Sequence, residues 1–362
     1  EEAEAQFEKV IELQPGKAEA YTNLGNVLQF MGRADDAIKS FERAVEIQPD
    51  LAEAHFNMSL TILLSGDLQR GWKEYEWRRK IAGVAGTYVQ GGREWRGEDL
   101  EGKRILVYTE QGFGDTIQFI RYARLLSDRG AEVLVECQKE LVRLLSGIAG
   151  VSAVYGRGEA LPLYDYRCPI LSLPGMFGTE LTTIPGEVPY VRGTEESLSY
   201  WRERLSGDGA GLKVGLSWAG RPTHKKDLYR TLKLLQYGPL GEVPGIRFYS
   251  LQKGEASGES KEPPAGMALL DYTEDLGDFS DTAGLLGNLD LVISVDTAVV
   301  HLAGAMGVAV WTLLPYAPDW RWLLGREESP WYPTMRLFRQ DKPGDWKTVM
   351  GKVAADLTAY PS

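Results

Sequence analysis

Leu289-Asp290-Leu291-Val292-Ile293-Ser294-Val295-Asp296-Thr297-Ala298-Val299-Val300-His301-Leu302-Ala303-Gly304-Ala305-Met306-Gly307 decides the fold class of this chain. Leu289 to Val295 is almost wholly apolar and rich in β-branched residues, as a strand covered on both faces should be. Asp296 and Thr297 then supply N-cap chemistry. The segment after them is small and apolar, and Gly307 is a natural helix stop. Strand, polar corner and helix in that order is the unit of an α/β fold, where ligands favour the carboxyl ends of strands. The first N–H groups of the helix have no partner inside it and carry partial positive charge, so they suit an anion such as phosphate. Thr297 and His301 lie four residues apart on one helical face, which lines a hydroxyl and an imidazole up beside that position. The same corner also occurs in α/β proteins that bind nothing there. Asp290, Asp296 and His301 interrupt the apolar run and exclude a membrane span.

Composition narrows the class. The chain has 362 residues, room for two or three domains, and 43% of them are hydrophobic, enough for real cores. Its 40 basic and 51 acidic residues give a net charge of −11, which opposes general nucleic-acid binding and leaves room only for a local basic patch. Cys137 and Cys168 lack metal-ligand spacing and cannot build a disulfide scaffold. His55, His224 and His301 are far apart, so no zinc cluster is expected. No signal peptide or transmembrane pattern is legible, and the expected location is cytoplasmic, with peripheral attachment to the inner membrane as the other option. The chain begins at Glu1, inside a helical pattern and without Met, as a piece of a longer protein would.

Residues 1–80 carry an internal repeat. Ala3 to Pro15 recurs as Ala37 to Pro49, so that Pro15 and Pro49 are 34 residues apart; Ala18-Glu19-Ala20-Tyr21 returns as Ala52-Glu53-Ala54-His55, and Gly32 as Gly66. The period, the small and large apolar positions and the closing Pro resemble the tetratricopeptide repeat. A third copy begins at Gly66-Asp67 and drifts into Gly71-Trp72-Lys73-Glu74-Tyr75-Glu76-Trp77, whose aromatics suit a cap against the next domain. Stacked helix pairs offer a concave surface for a protein partner, or serve as a spacer.

Residues 81–103 read as a glycine-spread linker pinned by Trp95 and Leu100. Strand–helix alternation follows in two halves, 104–205 and 206–342, with a terminal helix in 343–362 expected to pack back across both. In the first half, strands are expected at Arg104 to Thr109, Glu132 to Cys137, Val151 to Tyr155 and Asp165 to Ile170, and a helix at Ile117 to Leu126. In the second, strands are expected at Lys213 to Trp218, Ile246 to Leu251, Leu289 to Val295 and Val308 to Leu314. Ser206-Gly207-Asp208-Gly209-Ala210-Gly211 reads as the hinge between the halves. The architecture expected is tetratricopeptide helices followed by α/β, two Rossmann-like domains facing a cleft.

Chemistry concentrates at two corners. Gly112-Phe113-Gly114-Asp115 sits where the first strand turns into its helix; the glycines allow close approach of a ligand. Asp115 is either an N-cap or a general base that takes a proton from an attacking hydroxyl. A G-x-G-x-x-G fingerprint is incomplete, since Gln118 follows Ile117, and no GxxxxGK[ST] loop exists, so nicotinamide and P-loop chemistry are disfavoured. The loop from Ala219 to Arg230 holds Arg221, His224, Lys225, Lys226 and Arg230 at the ligand edge of the second half, and cations beside a helix terminus suit a diphosphate.

Gly112 to Gln118, Ser217-Trp218-Ala219-Gly220, Ser250-Leu251-Gln252 and Asp296 to Gly307 together resemble the ADP-heptose:lipopolysaccharide heptosyltransferase family. More closely they resemble its bacterial branch with tetratricopeptide repeats in front, as does the tail Asp319-Trp320-Arg321-Trp322, Ser329 to Pro333 and Asp345-Trp346. The resemblance implies a glycosyltransferase-B fold and a metal-independent, inverting transfer of a hexose or heptose from a nucleotide diphosphate sugar, with no cofactor. It implies Asp115 as the catalytic base, with Gln111, Gly112, Gly114 and Gln118 forming the acceptor-side turn. Asp296, Thr297, Ala298 and His301 are implied as donor-site residues, joined by Lys225, Lys226 and Arg230 at the diphosphate and by Gln252 and Trp218 toward the nucleoside. The implied partners are a nucleotide-sugar donor, a protein or cell-envelope glycan acceptor, and a protein on the repeat surface. The rival reading is a non-catalytic scaffold built on a degenerate transferase.

Overall fold

The computed structural model describes residues 2–84, 91–223 and 227–360. Five helices come first: α1 (Glu2–Leu13), α2 (Ala18–Phe30), α3 (Ala34–Ile47), α4 (Ala52–Leu64) and α5 (Leu68–Tyr75). Each packs on the next, at crossings made close by small residues. A Cβ on Gly25 would stand 2.6 Å from the ring of Phe41, which is fully buried along with Ala37. Burial of a side chain of that size contributes about 1.5–3 kcal/mol. The repeated Gly32 and Gly66 end α2 and α4 at φ +78° and +93°, a left-handed turn that favours glycine.

Two parallel sheets follow. β1 (Arg93–Glu94), β2 (Arg104–Tyr108), β3 (Glu132–Cys137), β4 (Ala153–Gly156) and β5 (Tyr166–Pro169) form the first, in the order β1-β5-β2-β3-β4. β6 (Leu212–Ser217), β7 (Ile246–Ser250), β8 (Leu269–Leu270), β9 (Leu291–Val295), β10 (Val310–Leu314) and β11 (Met335–Arg339) form the second, in the order β11-β10-β9-β6-β7-β8. β2 and β6 hold central places, and all of β9 is buried between β6 and β10, as its composition demands. The helices that matter for the site are α6 (Phe113–Phe119), α7 (Glu195–Arg204), α8 (Phe279–Leu286), α9 (Ala298–Met306) and α10 (Trp346–Thr358).

Several elements differ from the sequence expectation. β1 lies in the supposed linker and pairs with β5 as an edge strand, while Trp95 and Leu100 are buried as expected. α6 starts at Phe113 rather than Ile117, and gives way to a 3-10 turn at Ile120–Tyr122. The 206–211 segment is not the interdomain crossing, because α7, which precedes it, already packs on α8 of the second domain. Ser197 Oγ donates to the Ser280 carbonyl at 3.0 Å, and Trp201 is fully buried where a Cβ on Gly284 would meet its ring at 2.7 Å. The terminal helix α10 does not bridge the halves as expected. Its apolar face (Trp346, Val349, Met350, Val353, Leu357) joins the core on one side of the second sheet.

The largest core cluster spans the repeats and both domains. It runs from Leu63, Trp72 and Tyr75 of the repeats, through the first sheet, to α8 and α9 of the second domain. Polar ties reinforce it. The Trp72 indole donates to the Thr179 carbonyl at 2.9 Å. Arg78, fully buried, donates to Glu110 at 3.0 Å, Ser172 at 2.8 Å and Glu76 at 2.7 Å. The Tyr316 hydroxyl donates to the Met31 carbonyl at 3.3 Å, so the repeats also touch the second domain. Among the described residues, no helix is long and apolar enough to cross a membrane.

Candidate active site

β2 delivers its chain end to Gly112, which caps α6 and leaves Asp115 at the third helical position. Asp115 Oδ2 accepts the Gly112 N–H at 2.8 Å, so the N-terminal capping role is real. Its other oxygen faces the second domain, where Oδ1 accepts from Arg321 Nη2. Arg321 Nε donates to Gln118 Oε1 at 2.6 Å, and Nη1 to Asp319 Oδ1 at 2.8 Å. Burial alone would lower the pKa of this guanidinium, but Asp319 and Asp115 outweigh it and the net shift is upward. The turn itself is braced from β3: Gln138 Nε2 donates to the Gln111 carbonyl at 2.8 Å, and Thr116 donates to Gln138 Oε1 at 3.1 Å.

β9 delivers Asp296 and Thr297 to the opposing wall. Thr297 takes the N-cap position of α9 with extended backbone, yet its hydroxyl makes no cap bond and pairs with Ser294 Oγ at 3.3 Å. Asp296, Thr297 and Ala298 stay partly exposed while the rest of α9 is mostly buried, so this corner is the accessible part of the element. Burial first, and then the nearby Asp319, push the Asp296 carboxyl up to about 6, against Arg230, Trp322 and Arg321. Arg230 Nη1 donates to the Asp296 carbonyl at 2.8 Å and Nε to Asp227 at 3.1 Å, which sets this cation at the N-terminal end of α9.

His301, one turn further on, is buried. Its Nδ1 shares a 3.0 Å hydrogen bond with the Tyr332 hydroxyl, its ring stacks on Trp322 with centroids 5.3 Å apart, and its Nε2 stands 3.9 Å from Asp296 Oδ1. Burial, followed by the positive charge of Arg321, lowers the imidazole to about 3, so it is neutral. α6 packs directly on α9, and Gly114 is the point of contact.

The structure therefore brings Gly112, Gly114, Asp115, Gln118, Asp296, Thr297, Ala298, His301 and Arg230 together. Lys225 and Lys226 lie outside the described residues. Two other expected residues have different work. Gln252 Oε1 accepts from the Trp218 and Ala219 amides at 3.0 and 2.8 Å, and its Nε2 donates to the Ala219 and Lys253 carbonyls at 3.1 and 2.9 Å. The side chain is spent on tying β6 to β7. Trp218 is fully buried in the core on the α10 side of the second sheet, so its ring does not line the cleft. Conversely, Arg321 and Asp319 are site residues that the sequence marked only as part of an aromatic tail. The signal was there: two charges among tryptophans in the loop after β10, at the ligand edge of a parallel sheet.

Comparison with known proteins gives this architecture its relatives. The tetratricopeptide repeat family model matches residues 18–51. Protein FlbA of Caulobacter vibrioides is 29% identical over 330 residues, which are 83% of this chain and 54% of that protein. This chain thus spans about half the length of that relative. Among solved structures, a glycosyl transferase family 9 protein of Veillonella parvula superposes with a TM-score of 0.52 at 11% identity, over 72% of this chain and 98% of that one. The ADP-heptose lipopolysaccharide heptosyltransferase II of E. coli gives 0.51 at 13% identity, over 71% and 98%. Tetratricopeptide helices here precede a glycosyltransferase-B fold.

Proposed function

We propose that this chain is an inverting glycosyltransferase. It moves a hexose or heptose from a nucleotide diphosphate donor to a hydroxyl of a protein or cell-envelope glycan, without a metal or cofactor. The observation that carries the reading is the pairing of corners: the only carboxylate of the Gly112–Asp115 turn faces the α9 corner of the other domain, where Arg230 and the N-terminal end of α9 favour an anion. In the reaction, the acceptor oxygen attacks the anomeric carbon from the side opposite the diphosphate. The carbon–oxygen bond to the diphosphate breaks and its electron pair leaves with the phosphate. Asp115 accepts the proton of the acceptor hydroxyl. Arg230 and the α9 N-terminus stabilise charge as it builds on the leaving group. Lys225 and Lys226 are assigned to the same task. His301, neutral, orients Asp296 and the helix end. The repeats recruit the acceptor or a partner, in the cytoplasm or at the inner membrane surface.

A scaffold without turnover is the second reading. It is favoured by the engagement of both Asp115 oxygens, one by Gly112 and one by Arg321. Calorimetry and thermal shift against nucleotides and nucleotide sugars separate the two, since a ligand bound to the folded state raises the melting temperature by mass action. The transferase reading expects one diphosphate class to bind, and expects Asp115→Asn to abolish turnover while donor affinity survives. Silence across ADP, GDP, UDP, CMP and their sugars supports the scaffold.

A further inference from the structure

We infer that Arg321 is the positioning residue for Asp115, an inference that rests on the transferase reading. Its guanidinium fixes the orientation of the carboxylate in the cleft. The two residues are 206 positions apart and belong to different domains. Each Arg321 nitrogen has a separate partner: Nη2 donates to Asp115, Nε to Gln118 and Nη1 to Asp319. The guanidinium is buried, with its central carbon 4.3 Å from the Trp320 ring centroid and 5.7 Å from that of Phe119. Trp320 is itself held edge-on by Trp72 at 5.2 Å, so the last repeat braces the loop that carries Arg321.

This geometry fits positioning better than a displaceable latch. A planar fork with three directed bonds cannot rotate away from one partner without straining the others, and an ammonium could not reproduce the fork. Gly112 fixes Asp115 Oδ2 and Arg321 fixes Oδ1. A carboxylate has about four lone-pair sites, so each oxygen keeps one free for the acceptor proton.

The test uses the full chain as wild type, Arg321→Ala, Arg321→Lys, Asp115→Asn and the Ala/Asn double variant. With the donor found by the nucleotide panel, Arg321→Ala should leave the donor KM within about threefold and lower kcat by about 10²-fold, the cost of a misplaced catalytic group. The acid limb of its kcat/KM profile should move to higher pH. Added guanidinium should restore part of the lost kcat in Arg321→Ala and none in Asp115→Asn, while Arg321→Lys should recover only a fraction. An unmoved acid limb with no guanidinium rescue would make Arg321 a domain tie only and overturn the inference. A readout without turnover accompanies these: melting shifts of the two single variants should be sub-additive in the double, as expected of groups in contact. Additive shifts overturn the pairing itself. A wild type inactive with every donor, beside sub-additive shifts, defeats the transferase reading instead.

Discussion

Gly114 of the first domain lies against the ring of His301 of the second, so closely that a Cβ at Gly114 would stand 2.6 Å from His301 Cδ2 and 3.3 Å from Nε2. His301 cannot yield easily, because Trp322 stacks on its ring and Tyr332 holds Nδ1. Gly114→Ala should therefore overpack the junction of α6 and α9 and destabilise the fold by about 1–3 kcal/mol. Because Asp115 is the next residue, the same shift should lower turnover more than it lowers donor affinity. Urea unfolding with parallel kinetics reads both. Unchanged stability would mean that the two helices slide apart freely and that the contact does not set the cleft.

The imidazole of His301 gives the protein an acid sensitivity of its own. Burial, then the cations Arg321, Arg121 and Arg230 working against Asp319, lower it to about 3. In the unfolded chain it titrates near 6.5. Its contribution is therefore fully present above that value and is lost as pH falls from about 6.5 toward 3, by about 1.4 kcal/mol per pH unit. Asp296 has the opposite sign: with its carboxyl raised to about 6, its contribution is present in acid and lost as pH rises through that value. The expected result is a stability gap between wild type and His301→Gln that is level above pH 7 and shrinks by about 2 kcal/mol between pH 6.5 and pH 5. Chemical denaturation at these pH values measures it. A gap that does not vary with pH would show that His301 titrates as it does in water.

What the sequence revealed depended on whether one local rule governed the feature. β9 was legible because a strand buried on both faces must be apolar throughout, and the repeats were legible because Gly32 and Gly66 answer the same backbone demand twice. β11 was not, since Arg336 and Arg339 give Met335–Arg339 a charged pattern that suits an edge strand and a loop alike. The crossing between domains was placed too late because a glycine-rich run such as 206–211 indicates a turn without saying which sheet lies on either side. Only the packing of Trp201 on α8 decides that. Asp115 was singled out from its turn, but its partner Arg321 was not, because no periodicity links two loops on different sheets. Gln252 shows the converse: the resemblance implied a ligand contact at its position, whereas its amide is bonded to backbone groups just after β6 and β7.

Arg78 and Glu110 join the repeats to the loop that leads into α6, at 3.0 Å and with both side chains almost wholly buried. Burial raises the Glu110 carboxyl, and Arg78 acts against that shift. Removing one partner of such a pair leaves an uncompensated buried charge, which costs about 3–5 kcal/mol, whereas replacing both costs far less. Arg78→Met should therefore destabilise the protein strongly, and adding Glu110→Gln to it should restore part of the loss. Since Glu110 stands five residues before Asp115, Arg78→Met should also lower turnover, although Arg78 belongs to the repeat region. Tryptophan fluorescence and far-ultraviolet circular dichroism should report one coincident unfolding transition in the wild type, because a single core runs from Trp72 through the first sheet to α9. Two separated transitions, with Arg78→Met moving only the first, would mean that the repeats are an appended module and do not support the Asp115 turn.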